Sequence, residues 1–251
     1  MRNWTMTRRS LLVAAGSGVL GVTVLNTVTA CSAGGTPAPA PAPPPGSAPG
    51  DTSGAVAGDW RRVNLSFVSA YLLIRGNEAA VVDLGTAGSA DAIGSALQAA
   101  GSGWPDVKHI IVTHKHPDHA GGLAGVAPRV TATIHTGQAD VPGVPSDKPL
   151  SALKDGDEVF GLRILATPGH TAGHISVFDP STGTLVAGDA LRTTDGLQGS
   201  DPQYTADATQ AAASVRKLAT LDIKAILPGH GDPLTTGAAD ALRKLAASLP
   251  A

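Results

Sequence analysis

Residues 113–119 read THKHPDH and directly follow the apolar stretch HIIV at 109–112. A helix would scatter these side chains around its axis, whereas a tight loop leaving a buried strand can turn them toward one point. Imidazole and carboxylate ligands suit zinc, iron or manganese, so the stretch predicts a metal centre. Its candidate ligands are His114, His116, Asp118 and His119.

The spacing of these ligands favours two adjacent ions, because one ion rarely takes four ligands from so short a segment. Alternate positions such as His114 and His116 can point the same way, while Asp118 and His119 reach elsewhere. The alternative interpretation is a solvated histidine-rich loop that binds no metal.

Three candidate ligands downstream argue against a solvated loop. His170 lies in ATPGHTAGH, Asp189 in LVAGDAL and His230 in AILPGHGD. Each follows a short apolar run of strand character and stands at a glycine-containing turn, where a rigid sheet can present a ligand. With the first cluster they make a set of five histidines and two aspartates.

The order HxHxDH, His, Asp, His resembles the metallo-β-lactamase fold superfamily, from about residue 59 to the C-terminus. The resemblance implies an α/β (α+β) fold, a four-layer αββα sandwich. It also implies two divalent metal ions, zinc first, with iron or manganese as alternatives. By the resemblance, His114, His116 and His170 hold the first ion, Asp118, His119 and His230 hold the second, and Asp189 bridges the two.

Details within the superfamily narrow the resemblance. The pattern THxHxDHxGG, GHTxGH, GD and GH is similar to glyoxalase II and to acyl-homoserine-lactone lactonases. The β-lactamases nearest in pattern usually lack the bridging aspartate, and some use a cysteine ligand, whereas the only cysteine here is Cys31. Glyoxalase II enzymes carry a basic, helical C-terminal extension, which we do not expect in the 21 residues after His230.

The expected chemistry is hydrolysis of an acyl bond. Two ions held close together share a bound water and lower its pKa enough to provide hydroxide at neutral pH. That hydroxide would attack a carbonyl carbon while one ion accepts the developing oxyanion. Asp118 would be catalytic by taking the proton of the hydroxide. Ester, lactone and thioester bonds rank above amides, since no general acid for a nitrogen leaving group is visible.

Three alternatives use the same metal site. The first is a mononuclear iron dioxygenase of the same fold that oxidises a sulfur substrate, and the full set of seven ligands counts against it. The second is a β-lactam hydrolase. The third is a non-catalytic metal-binding lipoprotein, against which the bridging Asp189 speaks.

Residues around the ligands have expected supporting roles. Asp83 follows a strand and is predicted to orient metal-binding histidines rather than bind metal, and His174 is predicted to do the same or to be structural. Tyr204 is a candidate substrate contact, with a packed loop anchor as the alternative. We expect specificity to lie in loops such as 136–156 and 191–205.

The N-terminal residues 1–30 are predicted to be an export signal. Arg8 and Arg9 precede an apolar stretch, as in a twin-arginine signal, and residues 28–30 resemble a bacterial lipobox that would make Cys31 a lipidated first residue. An uncleaved membrane anchor and a buried structural cysteine are the alternatives.

Residues 31–58 are rich in Pro, Ala and Gly, with PAPAPAPPPG at 37–46, and predict a disordered linker before a catalytic domain at 59–251. The expected location is the cell envelope, with the domain tethered to the outer face of the bacterial cytoplasmic membrane. A net charge of -2 without a basic stripe argues against nucleic acid, and the expected partner is a small-molecule acyl substrate.

Apolar periodicity predicts the secondary structure that places the site. Strands are predicted at 65–74, 79–83, 109–112, 162–166, 174–179, 184–187 and 225–227, and helices at 90–100, 206–220 and 237–248.

Overall fold

The computed structural model describes residues 53–250. The predicted export signal, Cys31 and residues 31–52 of the predicted linker lie outside the described residues. Within residues 53–250, no helix combines the length and the apolar character needed to cross a lipid bilayer.

The larger sheet has seven strands, which lie side by side in chain order. They are β1 (Gly54–Ala57), β2 (Trp60–Leu65), β3 (Val68–Arg75), β4 (Glu78–Val82), β5 (Val107–Val112), β6 (Thr133–Gly137) and β7 (Leu150–Leu153). Pairs from β1 to β4 are antiparallel and pairs from β4 to β7 are parallel. The central strands are buried on both faces, which explains their nearly continuous apolar sequences.

The smaller sheet has five strands, which are β8 (Glu158–Val159), β9 (Leu162–Ala166), β10 (Ile175–Asp179), β11 (Thr184–Gly188) and β14 (Ala225–Pro228). They lie side by side in the order β14-β11-β10-β9-β8. Only the β11 and β14 pair is parallel. A separate antiparallel pair, β12 (Leu191–Arg192) and β13 (Gln198–Gly199), follows β11.

Helices cover the outer faces of both sheets. They are α1 (Ala90–Ala99), α2 (Pro117–Ala120), α3 (Leu123–Val126), α4 (Ala208–Leu218) and α5 (Ala238–Ser248), and short 3-10 turns lie at Trp104–Asp106, Ala127–Arg129 and Gln138–Gly143. Ile93 of α1 is buried with residues of the larger sheet. Val215 of α4 and Leu242 of α5 are buried against the smaller sheet.

A third apolar cluster lies between the two sheets. Tyr71 and Ile111 of the larger sheet are buried there with Ile164 and Val177 of the smaller sheet. Successive side chains of a strand point to opposite faces of the sheet. Ile111 of β5 therefore packs between the sheets, while its neighbour Ile110 packs under the helices of the larger sheet. The layers are helix, sheet, sheet and helix, so the predicted four-layer αββα sandwich is confirmed.

Several segments differ from the sequence prediction, and strands β6 and β8 were not predicted at all. The strand predicted at 65–74 is broken at Ser66, whose φ of 77° turns the chain between β2 and β3. Strand β1 lies inside the stretch assigned to the linker, and it pairs with β2. The loop expected at 136–156 contains β7, which extends the larger sheet.

Candidate metal centre

The carboxyl ends of four strands meet at one edge of the sandwich. Main-chain hydrogen bonds join the two sheets there, from Ile175 N to Thr113 O and from Ser69 N to Gly229 O, each 2.9 Å long. Chain segments leaving these strand ends therefore converge. The candidate ligands that they carry are the 114–119 cluster after β5, His170 after β9, Asp189 after β11 and His230 after β14.

The first cluster combines a loop with a helical turn, so the prediction of a tight loop throughout 113–119 is wrong for its second half. His116 has an extended backbone (φ −65°, ψ 148°), and the α2 turn begins at Pro117. Proline favours this first helical position because its φ is preset and its missing N–H would be unpaired there. Asp118 and His119 lie on the α2 turn, separated from His114 and His116.

All seven predicted ligands lie together. They form three groups, and within each group the ligand atoms lie within 4.8 Å of one another. Each group could hold a metal ion. The groups are His114, His116 and His170; Asp118, His119 and His230; and His114, His119 and Asp189.

The Asp189 carboxylate faces both sides of this centre. Its Oδ2 lies 3.3 Å from His170 Nε2 and 3.3 Å from His230 Nε2. Its Oδ1 lies 3.2 Å from His119 Nε2. One carboxylate therefore faces both the group that contains His170 and the group that contains His119 and His230.

Four of the five candidate ligand histidines are oriented through their second ring nitrogen. A hydrogen bond at Nδ1 fixes the ring and leaves Nε2 directed at the centre, which is the usual arrangement of metal-binding histidines. The Nδ1 partners are Thr113 Oγ1 for His114 (3.0 Å), Asp83 Oδ2 for His119 (2.8 Å), Ser200 Oγ for His170 (2.9 Å) and Phe67 O for His230 (2.7 Å).

Asp83 contacts the segment of the first cluster from the side away from Asp189. It is buried, and its φ of 61° turns the chain after β4 so that the carboxylate points toward β5. The carboxylate accepts hydrogen bonds from Thr113 N (2.8 Å) and Thr113 Oγ1 (2.9 Å), in addition to the bond from His119. Asp83 thus orients His119 and the start of the ligand loop.

His174 supports Asp189 through the main chain. The Asp189 amide donates to His174 Nε2 over 3.0 Å, and His174 Nδ1 contacts Thr167 Oγ1 at 2.8 Å. Burial lowers the His174 pKa to about 3, so the ring stays neutral and accepts from the amide. His174 therefore positions Asp189, and it belongs to none of the ligand groups.

Asp140 is a buried carboxylate that the sequence prediction missed. It accepts hydrogen bonds from Lys115 N (3.1 Å), Gly173 N (2.9 Å) and the Thr171 hydroxyl. It therefore ties the loop of His116 to the loop of His170. Residues 137–140 read GQAD, and this sequence contains no motif that would identify Asp140 as a buried residue. In the structure Asp140 is fully buried, which is consistent with a structural role.

Glycine at position 229 is required by close approach. A Cβ atom there would lie 2.3 Å from Asp189 Oδ1 and 2.6 Å from His119 Cε1. The glycine before His230 therefore lets a main-chain segment pass directly beside two ligands.

The charges of the centre are coupled. Burial alone would raise the pKa of Asp189, but His119 and His230 hold it well below its usual range. Burial lowers the pKa of His230, yet the carboxylates of Asp118 and Asp189 raise it to about 10. The carboxylates thus favour positive charge at this place, which a divalent cation would supply.

Two buried atoms test whether the residues fit a metal ion. His119 Nε2 and Asp189 Oδ1 face each other at 3.2 Å, but neither makes a hydrogen bond of good geometry. Leaving such atoms unpaired is unfavourable, and buried polar groups without partners are rare in proteins. Both belong to one ligand group, and a cation bound there would satisfy both, so the residues fit a divalent metal.

A cavity of about 680 Å³ opens over the centre. Its wall includes Tyr204, the predicted substrate contact, and Phe67, which sequence reasoning missed. Tyr204 is 60% exposed, which disagrees with the alternative of a packed anchor. Arg192 and Asp201 from the loop expected at 191–205 line the same cavity.

The family model of the Metallo-beta-lactamase superfamily matches residues 63–230. The chain belongs to the metallo-β-lactamase superfamily. The matched range includes all seven candidate ligands of this superfamily member and ends at His230.

Relatives and a solved structure agree with this assignment. The probable metallo-hydrolase YflN of Bacillus subtilis (strain 168) is 34% identical over 201 residues, which are 62% of this chain and 76% of YflN. A hydroxyacylglutathione hydrolase of Dechloromonas aromatica (strain RCB) is 35% identical over 138 residues, 51% of this chain and 48% of the relative. The crystal structure of a metallo-beta-lactamase family protein from Thermus thermophilus is similar with a TM-score of 0.59 and 27% identity, covering 74% of this chain and 77% of that one.

Proposed function

We propose that the protein is a dinuclear metal-dependent hydrolase that cleaves an ester, lactone, thioester or related acyl bond of a small molecule. The observation that carries the proposal is the position of the Asp189 carboxylate, 3.3 Å from both His170 Nε2 and His230 Nε2. A carboxylate shared by two groups of ligands serves a pair of ions, and paired ions are typical of hydrolytic centres.

The proposed ligands divide between two ions, with zinc as the first candidate. Such ions, when bound, supply a water acidic enough to react at neutral pH and positive charge for a developing oxyanion. His114, His116 and His170 would hold one ion, Asp118, His119 and His230 the other, and Asp189 both.

Asp118 is the proposed proton acceptor. Its side chain is 26% exposed and lines the cavity, so it can contact both the attacking water and the substrate. Burial raises the pKa of Asp118, but the hydrogen bond from His230 and the charge of His119 lower it by more than burial raises it. The carboxylate is therefore ionised at neutral pH. In the proposed reaction the Asp118 carboxylate takes a proton from the attacking water and passes it to the leaving oxygen or sulfur, so that an acid and an alcohol or thiol are released.

Two relatives support hydrolysis, and the name of the second indicates an acyl bond. YflN carries the name of a probable metallo-hydrolase, and the relative from Dechloromonas aromatica carries the name of a hydroxyacylglutathione hydrolase. The cavity above the centre has the size of a pocket for a small molecule.

Elemental analysis combined with a turnover panel tests this proposal. The full-length protein would be purified without added metal and assayed on a lactone, a thioester, an aryl ester and a β-lactam. We expect two zinc ions per chain and turnover of an acyl ester, lactone or thioester. One iron per chain with oxygen consumption, turnover of the β-lactam alone, or two ions without any turnover would each overturn the proposal.

We also propose that the domain works in the cell envelope, tethered to the outer face of the cytoplasmic membrane by a lipid on Cys31. The support is the sequence of residues 1–58 alone. In a bacterial host with lipoprotein processing, a Cys31→Ala variant should move from the membrane fraction to the soluble exported fraction, while a matched Ser32→Ala variant should stay. Equal membrane association of both variants would contradict lipidation.

A further inference from the structure

We propose that Phe67 and Tyr204 bind an apolar acyl group, so that the substrates are esters, lactones or thioesters of medium-length alkyl or aryl acids rather than of charged acids. The identity of the broken bond rests on the proposed function, whereas binding of the apolar group can be measured without turnover.

The first support is the exposure of two large apolar side chains. Phe67 is 61% exposed and Tyr204 60%, and no other large hydrophobic side chain is exposed among residues 53–250. Both line the cavity above the metal centre. Leaving apolar surface in water is unfavourable, and exposed apolar groups that gather at a cleft mark binding sites.

The Phe67 ring is held beside the metal ligands. It stacks on the His230 ring with a centroid separation of 6.1 Å and an angle of 8° between the planes. The Phe67 carbonyl accepts the hydrogen bond from His230 Nδ1, at 2.7 Å. The turn between β2 and β3 therefore places an apolar ring next to the reaction centre.

Tyr204 stands on a loop that is anchored in several places. Its amide donates to Asp201 O over 3.1 Å. The Asp201 carboxylate accepts from Arg192 Nη1 (2.8 Å) and Gln203 N (2.9 Å). Because this loop belongs to the smaller-sheet half and the Phe67 turn to the larger-sheet half, the two halves of the sandwich each supply one aromatic wall.

The charges along the cavity disfavour an acidic acyl group. Apart from the ligand histidines, Arg192 is the cationic residue among the described residues that line the cavity, and Asp201 already pairs with it. A carboxylate on the acyl group, away from the proposed metal ions, would therefore meet no free cation on the cavity wall. An apolar chain would instead cover Phe67 and Tyr204.

Binding of carboxylic acids, which are products of the proposed reaction, tests this inference by calorimetry. The full-length zinc-loaded protein would be titrated with saturated acids from acetate to decanoate and with dicarboxylates of equal length. We expect affinity to rise roughly twofold to fourfold per added CH₂ for the monoacids and not for the dicarboxylates. Phe67→Ala and Tyr204→Ala should flatten this dependence, and the matched Tyr204→Phe variant should keep it.

Several results would overturn the inference: affinities independent of chain length, preference for the dicarboxylates, or an unchanged dependence in both alanine variants. Both side chains are exposed, so the variants should fold normally, which circular dichroism and thermal unfolding would check. Failure to hydrolyse any acyl substrate would contradict the proposed function alone, because the chain-length dependence of binding is measured separately.

Discussion

His119 Nδ1 lies 2.8 Å from Asp83 Oδ2, and both side chains are buried. The opposite nitrogen of the same ring, Nε2, lies 3.2 Å from Asp189 Oδ1. Asp83 therefore holds the proton of His119 on the far side of the ring, which leaves Nε2 free to bind a cation. Asp83 belongs to none of the ligand groups, but it sets the orientation of His119 in the group with Asp118 and His230.

Replacing Asp83 by asparagine should weaken metal binding without unfolding the protein. Asparagine tolerates the φ of 61° at this position. It lacks the negative charge and the second acceptor oxygen, so His119 loses its fixed tautomer. We expect a loss of metal affinity of roughly tenfold to a hundredfold, measured by competition with a chelator.

The matched control is Asp91→Asn. Asp91 is an exposed aspartate that pairs with Arg129 at 2.6 Å, away from the ligand groups. Its replacement should leave metal affinity unchanged. Equal affinities for Asp83→Asn and the wild-type protein would rule out the orienting role.

Asp118→Ala should abolish turnover while the protein stays folded. Loss of a positioned proton acceptor typically costs on the order of 10² to 10⁴ in rate. The measurement is kcat on the substrate identified by the turnover panel, together with metal content and circular dichroism. Near-normal turnover by the folded variant would exclude the proposed role of Asp118.

Gly229→Ala should damage the centre by steric conflict. The added methyl group would lie 2.3 Å from Asp189 Oδ1, so one of the two segments must move. We expect destabilisation of about 1–3 kcal/mol and loss of bound metal, measured by thermal unfolding and elemental analysis. Gly103→Ala is the control, because the nearest atom to its Cβ, Pro105 Cδ, lies at 3.5 Å. Equal behaviour of the two variants would contradict the steric argument.

A histidine away from the ligand groups should make the fold sensitive to acid. His135 is buried and contacts His109 at 3.2 Å, and burial lowers its pKa to about 4. The unfolded chain, with a histidine pKa of about 6.5, binds this proton first. The contribution of His135 to stability is therefore complete above about pH 6.5 and is lost as the pH falls toward 4.

Urea unfolding between about pH 4 and 7 would test this effect. The His135→Gln variant should lose stability less steeply than the wild-type protein, by about one proton, or about 1.4 kcal/mol per pH unit. Parallel pH dependences would contradict the assignment.

That the candidate ligands meet at one edge could be predicted from the sequence, because each segment that carries them follows an apolar strand. The four-layer fold was implied by the family resemblance. Asp140 could not be predicted, since its partners Lys115 and Gly173 come together only after folding. The break at Ser66 could not be predicted either, because a serine with positive φ interrupts an alternating apolar pattern that contains no glycine or proline.

His230 is held by the main-chain carbonyl of residue 67, an acceptor that every amino acid supplies. The side chain at position 67 can therefore change during evolution without moving this ligand. The side chain at position 204 can also change without moving its loop, because the loop is anchored by the main chain of residue 204 and by its neighbours Asp201 and Gln203. The walls of the cavity are thus free to diversify while the catalytic machinery stays constant, which makes these two positions natural starting points for redesigning substrate preference.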